Sequence, residues 1–226
     1  MEVLFTLLAE RYERGSVLLT SNLAFSKWDQ IFKDAMTAGN TKYAHQMVAA
    51  VLIHPDRKEV IPMAIEPIVK QDGQTKNDCE RNATRRLLAR VKRQHPKLKM
   101  VVTEDGLSSN APHINDLRSH GYRFILGAKP GDHQHLFESV IDAGDNGKLY
   151  SVKTTHLDKK GSTSESQWAK QVPLNASHAE LLVNFMDHTE FDREGNVTKR
   201  FSWVTDLELT TGNVYDIMRG GRARWR

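Results

Sequence analysis

Residues 98–128, LKMVVTEDGLSSNAPHINDLRSHGYRFILGA, decide the fold class. Residues 98–103 form an apolar run of strand length. A helical stretch follows, with Pro112 in its first turn and Gly121 just past its end, the usual placement of these two residues. Residues 122–128 are again apolar and short. Strand, helix, strand is the unit from which mixed α/β sheets are built. Working upstream, residues 47–53 make a continuous apolar strand, HPDRKE a turn, and residues 60–65 a second strand in which Pro62 predicts an edge or a bulge. After the polar loop QDGQTK, Asn77 and Glu80 have capping-box spacing. Ala83, Leu87, Leu88 and Val91 then recur as a helical core stripe, and Pro96 ends it. Hairpin, helix, strand, helix, strand predicts a mixed sheet covered by helices.

Downstream, residues 148–209 alternate short strand-like runs with turns such as DKKGS and DREGN, which predicts a β-rich insertion. Val214, Ile217 and Met218 begin another helix, predicted to run to the last residue. The first 38 residues read differently. Leu4, Leu7, Leu8 and Tyr12 fall at helical spacing and Gly15 suits the cap. Residues 17–20 read as a short strand, and Ser26 and Asp29 open a helix carrying Trp28, Ile31 and Phe32. This α-β-α stub has no neighbouring strands of its own, so Leu7, Leu8, Phe25 and Phe32 are expected to be partly exposed or packed opportunistically on the second domain.

The chain has 226 residues, 39% hydrophobic and 27% charged, enough for one good core or a domain with a stub. No apolar run approaches the roughly 20 residues that span a bilayer. The first residues, MEVLFTLLAERYERG, carry acid where a signal peptide carries base. The single Cys79 excludes an internal disulfide framework and a cysteine-rich zinc site. A cytoplasmic location and no membrane partner are expected. The net charge of +4 permits nucleic-acid binding without requiring it.

Asp105 is the sharpest chemical candidate. A carboxylate just past an apolar strand, followed by Gly and small polar residues, stands where α/β proteins place sites, and such a group binds Mg²⁺ together with water and phosphate oxygens. The competing reading makes Glu104 and Asp105 a solvated turn before a helix. Arg81, Arg85, Arg86, Arg90, Lys92, Arg93, Lys97 and Lys99 form a run with no acid among them. It is either a phosphate-binding row or a solvated helix face. Arg219, Arg222, Arg224 and Arg226 make a second cluster, or a frayed basic tail. The ten His residues give no metal set. His133 and His135 straddle a helix start, and His113 and His120 are expected at the surface. Ser108 and Ser109 have no paired base in the sequence. No Gly-rich phosphate loop ending in Lys-Ser/Thr is present.

The runs YAHQMVAAVLIHPDRKEVIPMAIEPI, DGQTKNDCERNATRRLL, VVTEDGLSSNAPHI, ILGAKPGDHQHLF and FSWVTDLELTTGNVYDIMRGGRARWR together resemble IS4-like DDE transposases over residues 40–226. The resemblance implies a truncated ribonuclease-H-like mixed sheet with flanking helices and a β-rich insertion. It also implies DNA cleavage and joining by two Mg²⁺ ions on Asp, Asp and Glu, since the ions clamp the attacking and leaving oxygens. Asp105 matches the second Asp and would be both catalytic residue and metal ligand. The first Asp belongs to the strand before residue 47, upstream of the match. The Glu follows an Arg-Trp-x-Ile-Glu pattern of which Arg224, Trp225 and Arg226 are the first three places. Asp206 and Glu208 stand in a strand-like stretch and are not taken as replacements.

RYERGSVLLTSNLAFSKWDQIF, within residues 1–38, resembles the late part of the AAA+ helper ATPase of IS21-type elements. There Asn22 would match the sensor residue and Arg14 the arginine that reaches a neighbouring nucleotide, with Arg11 a weaker alternative. Without the phosphate loop both are vestigial, and no ATP is expected. The implied protein is a transposase-derived fusion, joined near Gly39, with two of three carboxylates missing and no catalysis. DNA is its expected partner, through Arg85, Arg86, Arg90, Arg93, Arg222 and Arg224. The alternatives are a non-catalytic competitor binding DNA or full-length transposase, and an ATP-binding helper of transposition.

Overall fold

A computed structural model describes residues 47–69, 76–156 and 162–225, the strand Ser16–Ser21, and two two-residue strands. The chain divides into two compact units, residues 1–99 and 100–226. In the first unit β1 (Ser16–Ser21) pairs antiparallel with β4 (Met47–His54), and β4 pairs antiparallel with β5 (Arg57–Pro67). The strands β2 (Thr37–Ala38) and β3 (Thr41–Lys42) pair with each other. Strand β1 thus has a neighbour, which corrects the expectation that the stub strand stands alone. The flanking positions Leu7, Leu8, Phe25 and Phe32 lie outside the described residues.

Strand β4 is buried along nearly all its length, as a continuous apolar run predicts. The mixed and mostly exposed pattern of β5 suits an edge. Ala50 opposes Ala64 while Val51 opposes Pro62, so Met63 is the extra residue of a bulge beside the proline. Helix α1 (Lys76–Gln94) packs on β4 and β5 through Ala83, Leu87, Leu88 and Val91, all fully buried. Burying each Leu or Val contributes roughly 1.5–3 kcal/mol.

The second unit is a mixed, six-stranded sheet with flanking helices. Its order is β6 (Met100–Glu104), β7 (Arg123–Ala128), β11 (Val197–Thr205), β10 (His178–Phe191), β9 (Ser162–Asn175), β8 (Leu149–His156). Strands β6 and β7 are parallel and every later pairing is antiparallel. The strands described within residues 148–209 extend the sheet of β6 and β7. Strand β11 hydrogen-bonds to β7, and the whole β-rich stretch continues that sheet.

Helix α2 (Ala111–Ser119) joins the parallel strands and ends at Gly121, whose φ of +72° is the left-handed conformation glycine adopts without strain. Helix α3 (Gln134–Asp145) lies against β9 and β8, with Phe137 edge-on to Phe185. Helix α4 (Val214–Arg222) packs on β7 and β6 over a core of Ile125, Trp168, Met186 and Trp203. It ends at Arg222 and gives way to a 3₁₀ turn at Ala223–Trp225, rather than running on as a helix. Among the described residues no helix is long and apolar enough to cross a membrane.

Candidate functional site

Strand β6 is apolar from Met100 to Val102, and the chemistry begins at its last residue. Glu104 is 3% exposed. Its Oε2 lies 2.5 Å from Nε2 of His113, itself buried in the first turn of α2. The strand carries Glu104 inward, and the helix start is fixed by the Asn110 side chain, which accepts from the His113 N–H at 3.1 Å. A carboxylate is tolerated here because an imidazole meets it. Two expectations are corrected: Glu104 is not a solvated turn residue and His113 is not at the surface.

Asp105 follows, half-buried, past the end of the strand. Its Oδ1 accepts from the Leu107 N–H at 3.1 Å and caps the 3₁₀ turn Gly106–Ser108. Its Oδ2 accepts from Arg224 Nη2 at 2.8 Å. The turn is tied down on three sides. Ser109 Oγ donates to the Gly127 carbonyl. Asn110 Nδ2 donates to the Leu107 carbonyl at 3.0 Å. His133 Nε2 stands 3.1 Å from the Ser109 carbonyl. At Gly127 a Cβ would come within 3.2 Å of the Gly106 nitrogen and 3.4 Å of the Asp105 carbonyl carbon, so β7 approaches the turn this closely because that residue is glycine.

These groups border a cavity of about 420 Å³ whose lining includes Glu104, Asp105, Lys129, Arg200, Trp203 and Arg224. Arg200 is held by Asp187 at 2.9 Å, and Ser202 donates to the same carboxylate. Both carboxylates of the lining thus have cationic or imidazole partners. The residues do not fit the two Mg²⁺ ions that the DDE resemblance implies. Mg²⁺ requires carboxylate oxygens in a near-octahedral shell, yet Asp105 Oδ2 meets a guanidinium and Glu104 turns toward His113. Among the described residues no three of His, Cys, Asp and Glu are grouped to hold a metal.

Asp206 and Glu208 lie elsewhere. Asp206 accepts from Arg123 Nε at 2.7 Å and from the Phe124 N–H at 3.0 Å, at the start of β7, whereas Asp105 borders Gly127 near its end. The exposed Glu208 has Lys170 at 4.0 Å. The expected DNA-binding cations separate into groups. Arg85 and Arg93 are exposed on α1. Arg86 Nε donates to Glu66 at 2.8 Å, and Arg90 donates to the Ile65 carbonyl at 3.2 Å, so both also fasten α1 to β5. In the second unit Arg222 pairs with Glu190 and lies 4.9 Å over the Phe201 ring, while Arg224 holds Asp105. Arg14 and Asn22 lie outside the described residues.

Sequence reasoning missed the Glu104–His113 pair, the Asp105–Arg224 pair and the roles of Gly127, Lys129, Arg200 and Trp203. One signal was available: a continuous apolar run is the mark of a strand buried on both faces, and a strand of that kind can carry the residue at its end inward too.

Residues 1–46 match the family model described as IstB-like ATP binding protein. The match covers a fifth of the chain and ends one residue before β4 begins. It suggests an insertion-sequence, transposition-related context. No curated protein matches the sequence.

Proposed function

We propose that the chain is a transposase-derived DNA-binding protein whose ribonuclease-H-like core, of the IS4-like DDE type, does not cleave DNA. The observation that carries this reading is the convergence on Asp105. The resemblance makes Asp105 the second catalytic carboxylate and puts the third just beyond Arg224-Trp225. The end of α4 and its 3₁₀ turn bring Arg224 within 2.8 Å of Asp105. Two motifs 119 residues apart meet where the DDE reading needs them to meet. The insertion-sequence context of residues 1–46 supports the same reading. The commitment of Asp105 and Glu104 to Arg224 and His113 supports the absence of catalysis.

DNA contact is assigned to the exposed face of α1, with Arg85 and Arg93 as its principal cations. Phosphate contacts position a protein but read little sequence. Random duplex is therefore expected to bind nearly as well as a transposon end, with a dissociation constant of roughly 10⁻⁴ to 10⁻⁶ M at physiological salt. The test is electrophoretic or fluorescence binding over a salt series, beside a strand-cleavage assay in Mg²⁺ and Mn²⁺. Arg85→Ala with Arg93→Ala is expected to flatten the salt slope by about two counterions' worth. Arg86→Ala or Arg90→Ala should also lower the melting point, because each releases a contact to β5. Metal-dependent cleavage that disappears in Asp105→Ala would overturn the reading, and so would DNA binding indifferent to the α1 arginines.

A further inference from the structure

We infer that the IstB-like segment supplies this protein with a sheet-completing strand: β1 covers the free edge of β4 and makes Ser16–Ser21 a structural part of the first unit. The argument starts from β4. Its residues 48–50, 52 and 53 are buried, and a strand so enclosed needs backbone partners along both edges, since unpaired N–H and C=O groups away from water are costly. Strand β5 satisfies one edge, from Met47 opposite Pro67 to His54 opposite Arg57. The other edge is met by β1 in an unbroken antiparallel register: Val17 opposite Ile53, Leu18 opposite Leu52, Leu19 opposite Val51, Thr20 opposite Ala50 and Ser21 opposite Ala49. All five β1 positions belong to the IstB-like match, and none of the five β4 positions does.

The pairing has a functional consequence. The strand SVLLTS holds no carboxylate, so the sequence paired with β4 brings no Asp or Glu to that edge. The IstB-like match and the residues that follow it thus share one backbone ladder. The inference rests on the β1–β4 register and on the IstB-like match, and does not depend on the transposase reading.

Cysteine pairs in the full chain, with Cys79→Ser, test it. Consecutive antiparallel partners alternate between hydrogen-bonded and non-hydrogen-bonded sites, so two adjacent pairs are made: Leu19→Cys with Val51→Cys, and Thr20→Cys with Ala50→Cys. A control pairs Val17→Cys with Ala49→Cys, four residues out of register and too far apart for a disulfide. At least one in-register pair should cross-link under mild oxidation, giving a reduction-sensitive linked peptide in the mass spectrum, and the control should not. Hydrogen exchange gives a second readout. Leu18→Pro should raise exchange about tenfold at alternate amides of β4, those facing β1, and spare those facing β5. Cross-linking of the control as readily as the in-register pairs, or unchanged exchange in Leu18→Pro, would overturn the inference. Because neither measurement involves DNA, their failure is distinguishable from failure of the DNA-binding reading.

Discussion

Asp105 and Arg224 show how little a residue's type says about its use. A carboxylate at a strand end is a metal ligand where other carboxylates converge on it, and a cap with an ion pair where a guanidinium does. The side chain of Arg224 is 11% exposed and that of Asp105 is 44% exposed. Solvent therefore screens the pair and limits its worth. Asp105→Ala is expected to lower stability by roughly 1–2 kcal/mol, since it leaves a largely buried guanidinium without its carboxylate. Adding Arg224→Met should recover part of that loss. A double-mutant cycle by urea unfolding measures the coupling, and strict additivity would remove the pair as an energetic link. Tyr122 gives a pH signature. Burial pushes its phenol from 10.0 up to about 12. The neutral form is the one the fold favours, so the contribution is intact below about pH 10 and lost as pH rises through 12, by at most about 3 kcal/mol in all. Tyr122→Phe should abolish that part of the alkaline loss, as read from unfolding midpoints between pH 9 and 12.

Among the elements, α4 departs furthest from what its residues favour in isolation. Gly220 and Gly221 lie inside the helix, where glycine costs about 1 kcal/mol relative to alanine. Propensity alone says that Gly221→Ala should stabilise. Packing says the reverse: a Cβ there would stand 2.7 Å from Trp203 Nε1 and Cε2, and that indole is 4% exposed in the core. A rigid ring without room to move makes overpacking the larger effect, so Gly221→Ala should destabilise by roughly 1–3 kcal/mol. A higher thermal midpoint in this variant would mean that the helix can lift from β11 at little cost. Helix α1 illustrates the opposite economy. Its apolar stripe packs as its spacing predicts, while Arg86 and Arg90 on the solvent side fasten it to β5 instead of standing free for phosphates.

For the molecule as a whole, two compact units carry different parts of the proposed function, with exposed cations on α1 in the first and the Asp105 cavity in the second. A site that held Mg²⁺ would couple metal to folding, because a ligand bound only by the native state raises its stability. Neither 10 mM Mg²⁺ nor excess chelator is expected to move the thermal midpoint by more than about 1 °C, and Asp105→Ala should respond as the parent does. A midpoint that rises with Mg²⁺ and loses that rise in Asp105→Ala would show a cation displacing Arg224.

The sequence by itself determined what depends on neighbours along the chain. The apolar runs gave β4, β6 and β7, the Ala83–Val91 stripe gave the buried face of α1, Pro62 gave the bulge in β5, and Gly121 the end of α2. Each follows from side-chain period or backbone freedom within a few residues. Only the tertiary structure decided what depends on distant partners. It joined the β-rich stretch to β7 through β11, because strand pairing is a backbone interaction that side-chain pattern does not address. It set β1 against β4, carried Glu104 to His113, and brought Arg224 to Asp105 across more than a hundred residues. A charged group's partner is fixed by where the folded chain puts it, and no local spacing holds that information.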